Sequence, residues 1–430
     1  MRRRSAFVVG LVTASLVVGA SGAPVLAASA APAASAAPAA SVPVRGVWLP
    51  ARELPGTSLA SGWSIMDAVA CAPGAECVTA DDTLTFKSGA DVSFLLSEKN
   101  GAWGKAQQIP GLAAGDSAEI RAVACPASGY CLAAGSYGFP VMHAFVAQET
   151  SGVWGRPALI PGLAALDTAR QGAVNLVSCP SVGNCTVAGD YGTGSNNNPV
   201  PHEFVASETG GHWHDAIPVP GLDALANVAG GGDASVMTLS CASAGNCALG
   251  GSYMTGSPSS VALRASVRDL RHDLASARPA TQFGPLARLG LDGLPPTTTS
   301  QLEPFVAGEV GGTWGDATAP AISGLTSSGE AEVSSVACPA AGACIAAGVY
   351  SDSASSSVGG GFYATQDGTG WSTPTTNSTF GPFALTCSSV GNCTAAGGDV
   401  KGIAAVQREE GGVWQAPAEL PGASRLAYQG

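Results

Sequence analysis

Short segments in which apolar and polar residues alternate recur along the chain, and small turns rich in Gly, Pro, Ala and Ser separate them. In one example, residues 332–338 alternate in this way, and residues 344–350 follow after a five-residue connection. Alternation with a period of two predicts β-strands, and the short connection predicts a hairpin. Residues 305–309 and 313–317 predict a second hairpin. The pattern therefore predicts repeating units of four strands.

Pairs of cysteines mark these units. Six pairs share the spacing C-x5-C and together use all 12 cysteines: Cys71 and Cys77, Cys125 and Cys131, Cys179 and Cys185, Cys241 and Cys247, Cys338 and Cys344, and Cys387 and Cys393. Successive pairs begin 54, 54, 62, 97 and 49 residues apart, so the fourth interval predicts a seventh unit without cysteines. Four strands in such a period is the size of a propeller blade. We therefore expect an all-β fold, a seven-bladed β-propeller of four-stranded antiparallel blades with one degenerate blade.

Each C-x5-C pair is expected to form its own disulfide, because cross-strand neighbours in a hairpin lie within reach of one another. Closing a ring of seven residues contributes about 2.4 kcal/mol in the chain-entropy treatment. A zinc site is the alternative interpretation of the cysteines. It requires two pairs to converge, whereas equivalent positions of different blades lie far apart.

The turn before each fourth strand recurs as an acidic residue, a Gly and a Trp. It is found at residues 98–103, 149–154, 208–213 and 409–414, with its fullest version at residues 366–371. These hairpins resemble degenerate Asp-boxes, the S-x-D-x-G-x-x-W signature of blades in sialidase-like secreted proteins. Glu mostly stands where that signature has Asp, and the resemblance implies a fold rather than an activity. An acidic oxygen is expected to accept backbone hydrogen bonds at the turn.

The tryptophans of these hairpins have two interpretations. They can pack between neighbouring blades, or one of them can stack on a sugar. The first interpretation accounts for all of them: Trp103, Trp154, Trp213, Trp314, Trp371 and Trp414.

Residues 257–301 differ in composition from the repeats, since they carry five arginines and neither Cys nor Trp. One hypothesis is an inserted amphipathic helix over residues 261–277. The other is a degenerate repeat translated out of frame, which predicts a helical or poorly ordered segment and can be tested by reading the gene in its other two frames.

The N-terminus predicts export. Residues 1–30 combine Arg2, Arg3 and Arg4 with an uncharged apolar run and small residues, which is the pattern of a signal peptide. Residues 31–43 contain Ala, Pro, Ser and Val and predict a flexible linker, which leaves residues 44–430 as the propeller domain. Residues 46–56 resemble residues 412–422, and this copy either completes the last blade or lies outside it as a spare strand.

Charge and composition limit the partners. Removing the three leader arginines from the 19 basic residues leaves 16 against 31 acidic residues, a net charge near −15. This balance disfavours nucleic acid and anionic membranes. We expect a secreted, extracellular monomer that has no cofactor, metal or membrane contact after signal cleavage, with carbohydrate or protein as its partner.

No catalytic centre is evident in the sequence. His143 and His202 share one repeat position, which indicates a role on the blade surface. His212 and His214 flank Trp213 and are a candidate metal site. No Gly-x-Ser-x-Gly turn marks a nucleophile, and the few arginines argue against a sialidase. Asp81, Asp82 and Asp352 are candidate calcium ligands, although isolated surface acids are usually only solvated.

These observations lead to two functional hypotheses. The first is a noncatalytic propeller that binds an extracellular carbohydrate or protein, or has a structural role. The second is an Asp-box-type glycoside hydrolase or lyase that acts on an extracellular polysaccharide. Three or more charged groups that converge at the centre of the propeller, such as Arg, Glu and Tyr, would favour the enzyme.

Overall fold

The computed structural model describes residues 63–73, 76–84, 91–112, 117–196, 198–227, 233–255, 301–322, 329–351, 359–368, 370–399 and 401–424. These residues form 28 short strands in six antiparallel sheets and two one-turn helices. No helix in this part of the chain is long and apolar enough to cross a membrane.

Sheets 1 to 3 follow one another along the chain. Sheet 1 contains β1 (Trp63–Ala72), β2 (Glu76–Leu84), β3 (Asp91–Lys99) and β4 (Ala102–Trp103). Sheet 2 contains β5 (Glu119–Ala127), β6 (Tyr130–Tyr137), β7 (His143–Thr150), β8 (Val153–Trp154) and β9 (Ala158–Leu159), and helix α1 (Leu163–Leu166) follows it. Sheet 3 contains β10 (Ala173–Ser181), β11 (Asn184–Ser195), β12 (Asn198–Thr209), β13 (His212–Trp213) and β14 (Ile217–Pro218), and helix α2 (Leu222–Leu225) follows it.

Sheets 4 to 6 repeat the same order. Sheet 4 contains β15 (Asp233–Ser243), β16 (Asn246–Thr255), β17 (Gln301–Val310) and β18 (Thr313–Trp314). Sheet 5 contains β19 (Glu330–Ala340), β20 (Ala343–Ser351), β21 (Gly360–Asp367), β22 (Gly370–Trp371) and β23 (Thr375–Asn377). Sheet 6 contains β24 (Phe380–Ser389), β25 (Asn392–Asp399), β26 (Ala404–Glu410), β27 (Val413–Trp414) and β28 (Ala418–Glu419).

The first strands of consecutive sheets pack against one another, which is the arrangement of propeller blades around an axis. Side-chain hydroxyls join these inner strands. The backbone N–H of Cys241 donates to Ser178 Oγ at 3.0 Å, that of Cys338 to Ser240 Oγ at 3.1 Å, and that of Leu385 to Ser335 Oγ at 3.0 Å. The serine beside or near each first cysteine therefore ties one sheet to the next.

Each of the five junctions between consecutive sheets contains its own apolar cluster. A phenylalanine in the third strand of sheets 2 to 5 is fully buried, at Phe145, Phe204, Phe305 and Phe362. The Trp of the fourth strand belongs to the same clusters or packs on them in sheets 2 to 6. Burial between sheets thus explains these tryptophans without a ligand.

The interval assigned to a seventh unit lies within one sheet. Strand β16 pairs directly with β17, Thr255 opposite Gln301, although 45 residues separate the two strands. The described residues therefore form six sheets, one for each cysteine pair, and they do not confirm a count of seven. Residues 257–301, with their helix and frameshift hypotheses, lie almost wholly outside the described part of the chain.

Sheet 6 has its own fourth strand, β27, which pairs with β26 through Glu409 opposite Trp414. An N-terminal strand is therefore not needed to supply this position. The copy at residues 46–56 lies outside the described residues.

The first strand of every sheet has a β-bulge at the same repeat position. The bulged residues are Asp67, Arg121, Asn175, Met237, Ser334 and Phe383. In five sheets a glycine of the second strand lies across from this position, and a Cβ there would stand about 2 Å from a first-strand carbonyl oxygen: Gly135, Gly189, Gly251, Gly348 and Gly397. Alternation along the chain reveals neither the bulge nor the reason for this glycine.

Every cysteine is disulfide-bonded to the other member of its own C-x5-C pair, and none is free. Cys71 bonds to Cys77, Cys125 to Cys131, Cys179 to Cys185, Cys241 to Cys247, Cys338 to Cys344, and Cys387 to Cys393. Three of the pairs lie directly opposite each other in the register of their hairpins: Cys71 with Cys77, Cys241 with Cys247, and Cys387 with Cys393. Six disulfides fit an oxidising compartment. Because both sulfurs of each pair are used in a bond, these residues give no support to the zinc interpretation.

Intact-mass analysis of protein exported from a bacterial host should therefore show 12 oxidised cysteines. Peptide mapping without reduction should find each bridge within one repeat, because the hairpin places the two partners next to each other. Bridges that join different repeats would contradict this pairing.

Candidate functional site

The two ends of the sheets differ in what they expose. At one end, here called the turn end, the disulfide turn bonds to the Trp turn of the same sheet. Gly211 N donates to Gly183 O at 2.8 Å, and Gly412 N donates to Gly391 O at 2.9 Å. The opposite end, here called the loop end, carries the connections between second and third strands and the links to the next sheet. At the turn end these backbone groups already bond to each other, so a binding or catalytic site is expected at the loop end.

The two equivalent histidines both lie at the loop end, and each faces a tyrosine. The ring centroids of Tyr137 and His143 are 5.3 Å apart, and those of Tyr191 and His202 are 5.0 Å apart with an interplanar angle of 20°. His143 is exposed, whereas 13% of the His202 side chain is exposed. The shared repeat position therefore conceals two different environments.

His202 connects a hydroxyl to a carboxylate. Its Nδ1 lies 2.8 Å from Asp223 Oδ2, and its Nε2 lies 2.9 Å from Thr193 Oγ1. Asp223 comes from helix α2, which follows sheet 3, while Thr193 and His202 come from adjacent strands of that sheet. Burial, with the carboxylates Asp223 and Glu203, raises the pKa of Tyr191 to about 12, so this ring stays neutral.

A second polar cluster lies where the inner strands of sheets 2 and 3 meet. Arg121 donates from Nη2 to Glu119 Oε2 and from Nη1 to Asn175 Oδ1, both at 2.6 Å. Asn175 in turn donates to Asp190 Oδ1 at 2.7 Å, and the side chain of Arg121 is only 11% exposed. Arg121 and Asn175 are the bulged residues of their strands, and a bulge commonly redirects a side chain.

Three charged groups thus converge at this junction: Glu119, Arg121 and Asp190. The enzyme hypothesis expects such a convergence at the centre of the propeller, and this cluster lies between the inner strands of two neighbouring sheets. The guanidinium is already bonded to one carboxylate and one amide, so the cluster is also a cross-sheet structural network. The sequence singled out none of its members as a site.

The other candidate residues are not brought together. His212 and His214 are exposed, and no group of three His, Cys, Asp or Glu able to hold a metal occurs among the described residues. Asp81 is buried at the position where five other sheets have Gly. The Asp82 side chain and Asp352 lie outside the described part of the structure.

The glutamates of the Trp hairpins behave differently from the expected turn ligands. Within the described ranges, the expected bond is found in sheet 1, from Gly101 N to the carboxylate of Glu98. In sheets 3, 4 and 6 the side chains of Glu208, Glu309 and Glu409 are buried, and the Oε2 atom of each has no hydrogen-bond partner. The expected role at the turn is wrong for these three sheets. Burial raises the pKa of all three carboxyls, that of Glu309 to about 7.

One aromatic side chain projects from the loop end. Phe139, in the connection between β6 and β7, is 85% exposed and is the one aromatic among the exposed large hydrophobic side chains of the described residues. Its loop is held to sheet 3, because Met142 N donates to Arg170 O at 3.0 Å and Asn196 Nδ2 donates to Pro140 O at 3.4 Å.

Polar side chains adjoin the loop that carries this ring. Asn196 bonds to the loop at Pro140 O, Gln171 donates from Nε2 to Asn196 Oδ1, and Arg170, next to Gln171 in the chain, is exposed. We refer to Phe139, Pro140, Arg170, Gln171 and Asn196 as the Phe139 surface. It combines one flat apolar group with several amide and guanidinium donors.

Comparisons with known proteins identify no family. No family model matches the chain, and no curated protein matches it. Solved structures that resemble it include an ulvan lyase (8% identity, TM-score 0.43, 83% of this chain and 81% of that one) and the sialidase Hz136 from a Hadza microbial source (13%, 0.37, 76% and 66%). A fucose-specific lectin from Aleuria aurantia matches at 9% identity and a TM-score of 0.33, over 83% of this chain and 95% of that one. Similarity at this level does not assign a ligand or an activity.

Proposed function

We propose that this protein is exported and binds an extracellular carbohydrate at the Phe139 surface, without cleaving it. The observation that carries the proposal is the exposed ring of Phe139. Single exposed apolar side chains are common on protein surfaces, but this ring is held in a fixed place beside polar groups, because its loop is bonded to the neighbouring sheet. A flat apolar ring suits the apolar face of a pyranose.

The neighbouring groups supply the polar half of such a contact. The amides of Asn196 and Gln171 are bonded to each other and to Pro140 O, and each has a second N–H besides those bonds. Arg170 carries five donors in a planar fork. Binding sites for small polar ligands typically combine a few placed polar groups with apolar lining. The Phe139 surface has both components on one side of sheets 2 and 3.

A glycan array probed with the full mature protein tests this proposal. The wild type should bind a limited set of glycans, and Phe139→Ala should lose at least about tenfold in affinity, since the stacking contact disappears. Phe139 is exposed, so the melting temperature should not change. Val390→Ala is a matched control, because Val390 is an exposed apolar residue at the turn end of sheet 6. Absence of glycan binding, or equal binding by Phe139→Ala, would contradict the proposal.

The second candidate function is an Asp-box-type hydrolase or lyase centred on Glu119 and Asp190. It is favoured by the convergence of these carboxylates with Arg121. Wild-type protein, Glu119→Gln and Asp190→Asn should be incubated with the polysaccharides that the array selects. We expect no release of reducing or unsaturated ends by any of them, and release that depends on both carboxylates would establish the enzyme instead.

A further inference from the structure

His202 is placed as a general base is placed in a hydrolytic triad. With the proton on Nδ1, it donates to Asp223 Oδ2 at 2.8 Å, and Nε2 then accepts from the Thr193 hydroxyl at 2.9 Å. A hydroxyl, an imidazole and a carboxylate in this order and within hydrogen-bond reach are the geometric signature of an activated nucleophile. Stacking on Tyr191 fixes the plane of the imidazole.

The residue that carries the hydroxyl is partly exposed. The neighbours of Thr193 in sequence, Gly192 and Gly194, have no side chains. Gly194 has φ of +89°, which turns the strand just after the nucleophile. The Gly194 N–H donates only a long bond, 3.2 Å, to the exposed Thr168 hydroxyl. The N–H directly after a nucleophile is a common oxyanion donor.

We infer that Thr193, His202 and Asp223 form a hydrolytic relay that accepts acyl groups from esters. Thr193 Oγ attacks the ester carbonyl while its proton passes to His202 Nε2. The bond to the leaving alcohol breaks, and the alcohol takes that proton. Water then attacks the acyl-threonine, gives its proton to His202, and releases the acid as the proton returns to Thr193. The sum is ester plus water to acid plus alcohol.

The relay and the Phe139 surface lie side by side, because Asn196 follows Thr193 by three residues and bonds to Pro140 O. The natural ester would therefore be an O-acylated carbohydrate. This choice of substrate class rests on the proposed function, whereas the relay itself does not. Hydrolysis of ester groups on the glycan is compatible with binding that leaves the glycosidic bonds intact.

The test uses p-nitrophenyl acetate and an alkyl fluorophosphonate, neither of which requires carbohydrate binding. The wild type should hydrolyse the ester and gain one phosphonyl adduct, with peptide mapping to Thr193. Thr193→Val and His202→Gln should each lower the rate about 100-fold or to background, as expected for loss of the nucleophile or base. Thr193→Ser should retain activity.

His143→Gln is the matched control, since His143 has the same repeat position and an equivalent tyrosine partner but is exposed. It should keep the wild-type rate, and melting temperatures should show that all variants fold. Lack of hydrolysis and labelling in the wild type, an adduct elsewhere, or equal losses in His143→Gln and His202→Gln would overturn the relay. Ester hydrolysis without glycan binding would contradict only the proposed function, and glycan binding without ester hydrolysis would contradict only the relay.

Discussion

Glu309→Gln should stabilise the protein at pH 8 by up to about 3 kcal/mol, and this gain should vanish near pH 4. Glu309 is 3% exposed between sheets 3 and 4, its Oε2 has no hydrogen-bond partner, and Ser207 Oγ reaches its Oε1 only at 3.5 Å. Burial raises the pKa of its carboxyl from 4.5 to about 7. Ionisation of this group is therefore costly in the folded state.

The direction with pH follows from this raised pKa. The folded protein holds the proton more tightly than the unfolded chain, so stability is greatest below about pH 4.5 and falls until about pH 7. Gln cannot ionise, and the repeat already has Gln366 at this position in sheet 5. Chemical unfolding of the wild type and of Glu309→Gln, measured at pH 4 and at pH 8, gives the difference in stability at each pH.

Glu410→Gln is the control for Glu309→Gln, since Glu410 is exposed at the end of β26. Its unfolding midpoint should match that of the wild type at both pH values. If Glu309→Gln is destabilising at pH 8, or gives the same gain at pH 4, the carboxylate is not the buried charge described here.

Gly397→Ala should destabilise the protein by about 3 kcal/mol, because overpacking beside a rigid backbone is costly. A Cβ at Gly397 would stand 2.0 Å from Gly381 O and 2.9 Å from its carbonyl carbon. Both contacts are to backbone atoms beside the bulge of β24, and no side chain can move aside to relieve them.

The neighbouring glycine provides the control for Gly397→Ala. A Cβ at Gly398 would meet only Ile403 O, at 4.0 Å, so Gly398→Ala should change the unfolding midpoint little. Equal effects of the two substitutions would mean that the close approach of the β24 backbone does not restrict position 397 to glycine.

The sequence predicted the parts of the fold that depend on neighbouring residues. The strands around Cys338 and Cys344 lie where alternation placed them, and the Trp hairpins close through the expected turns. The count of seven was drawn from the length of one interval. The repeat period alone could not test this count. In the structure β16 pairs with β17, with Thr255 opposite Gln301, so the 45 residues between them separate two strands of one sheet.

The candidate sites depend on which residues the folded chain brings together, and the sequence does not show this. His143 and His202 look equivalent in the repeat, and a one-turn helix follows each of their sheets. Helix α2 carries Asp223, which bonds to His202, where helix α1 carries Ala164. The cluster around Arg121 depends on bulges that aim side chains of two sheets at each other. Phe139 was not singled out from the sequence, and its exposure follows from how its loop is bonded to sheet 3.

A crystal structure of the protein soaked with the glycan that the array selects would show directly where the sugar binds. We expect one sugar ring to lie flat on Phe139, with its hydroxyls within hydrogen-bond distance of Asn196, Gln171 or Arg170. A sugar bound instead at the inner strands, against Glu119 and Asp190, or at the turn end would contradict the proposed binding site.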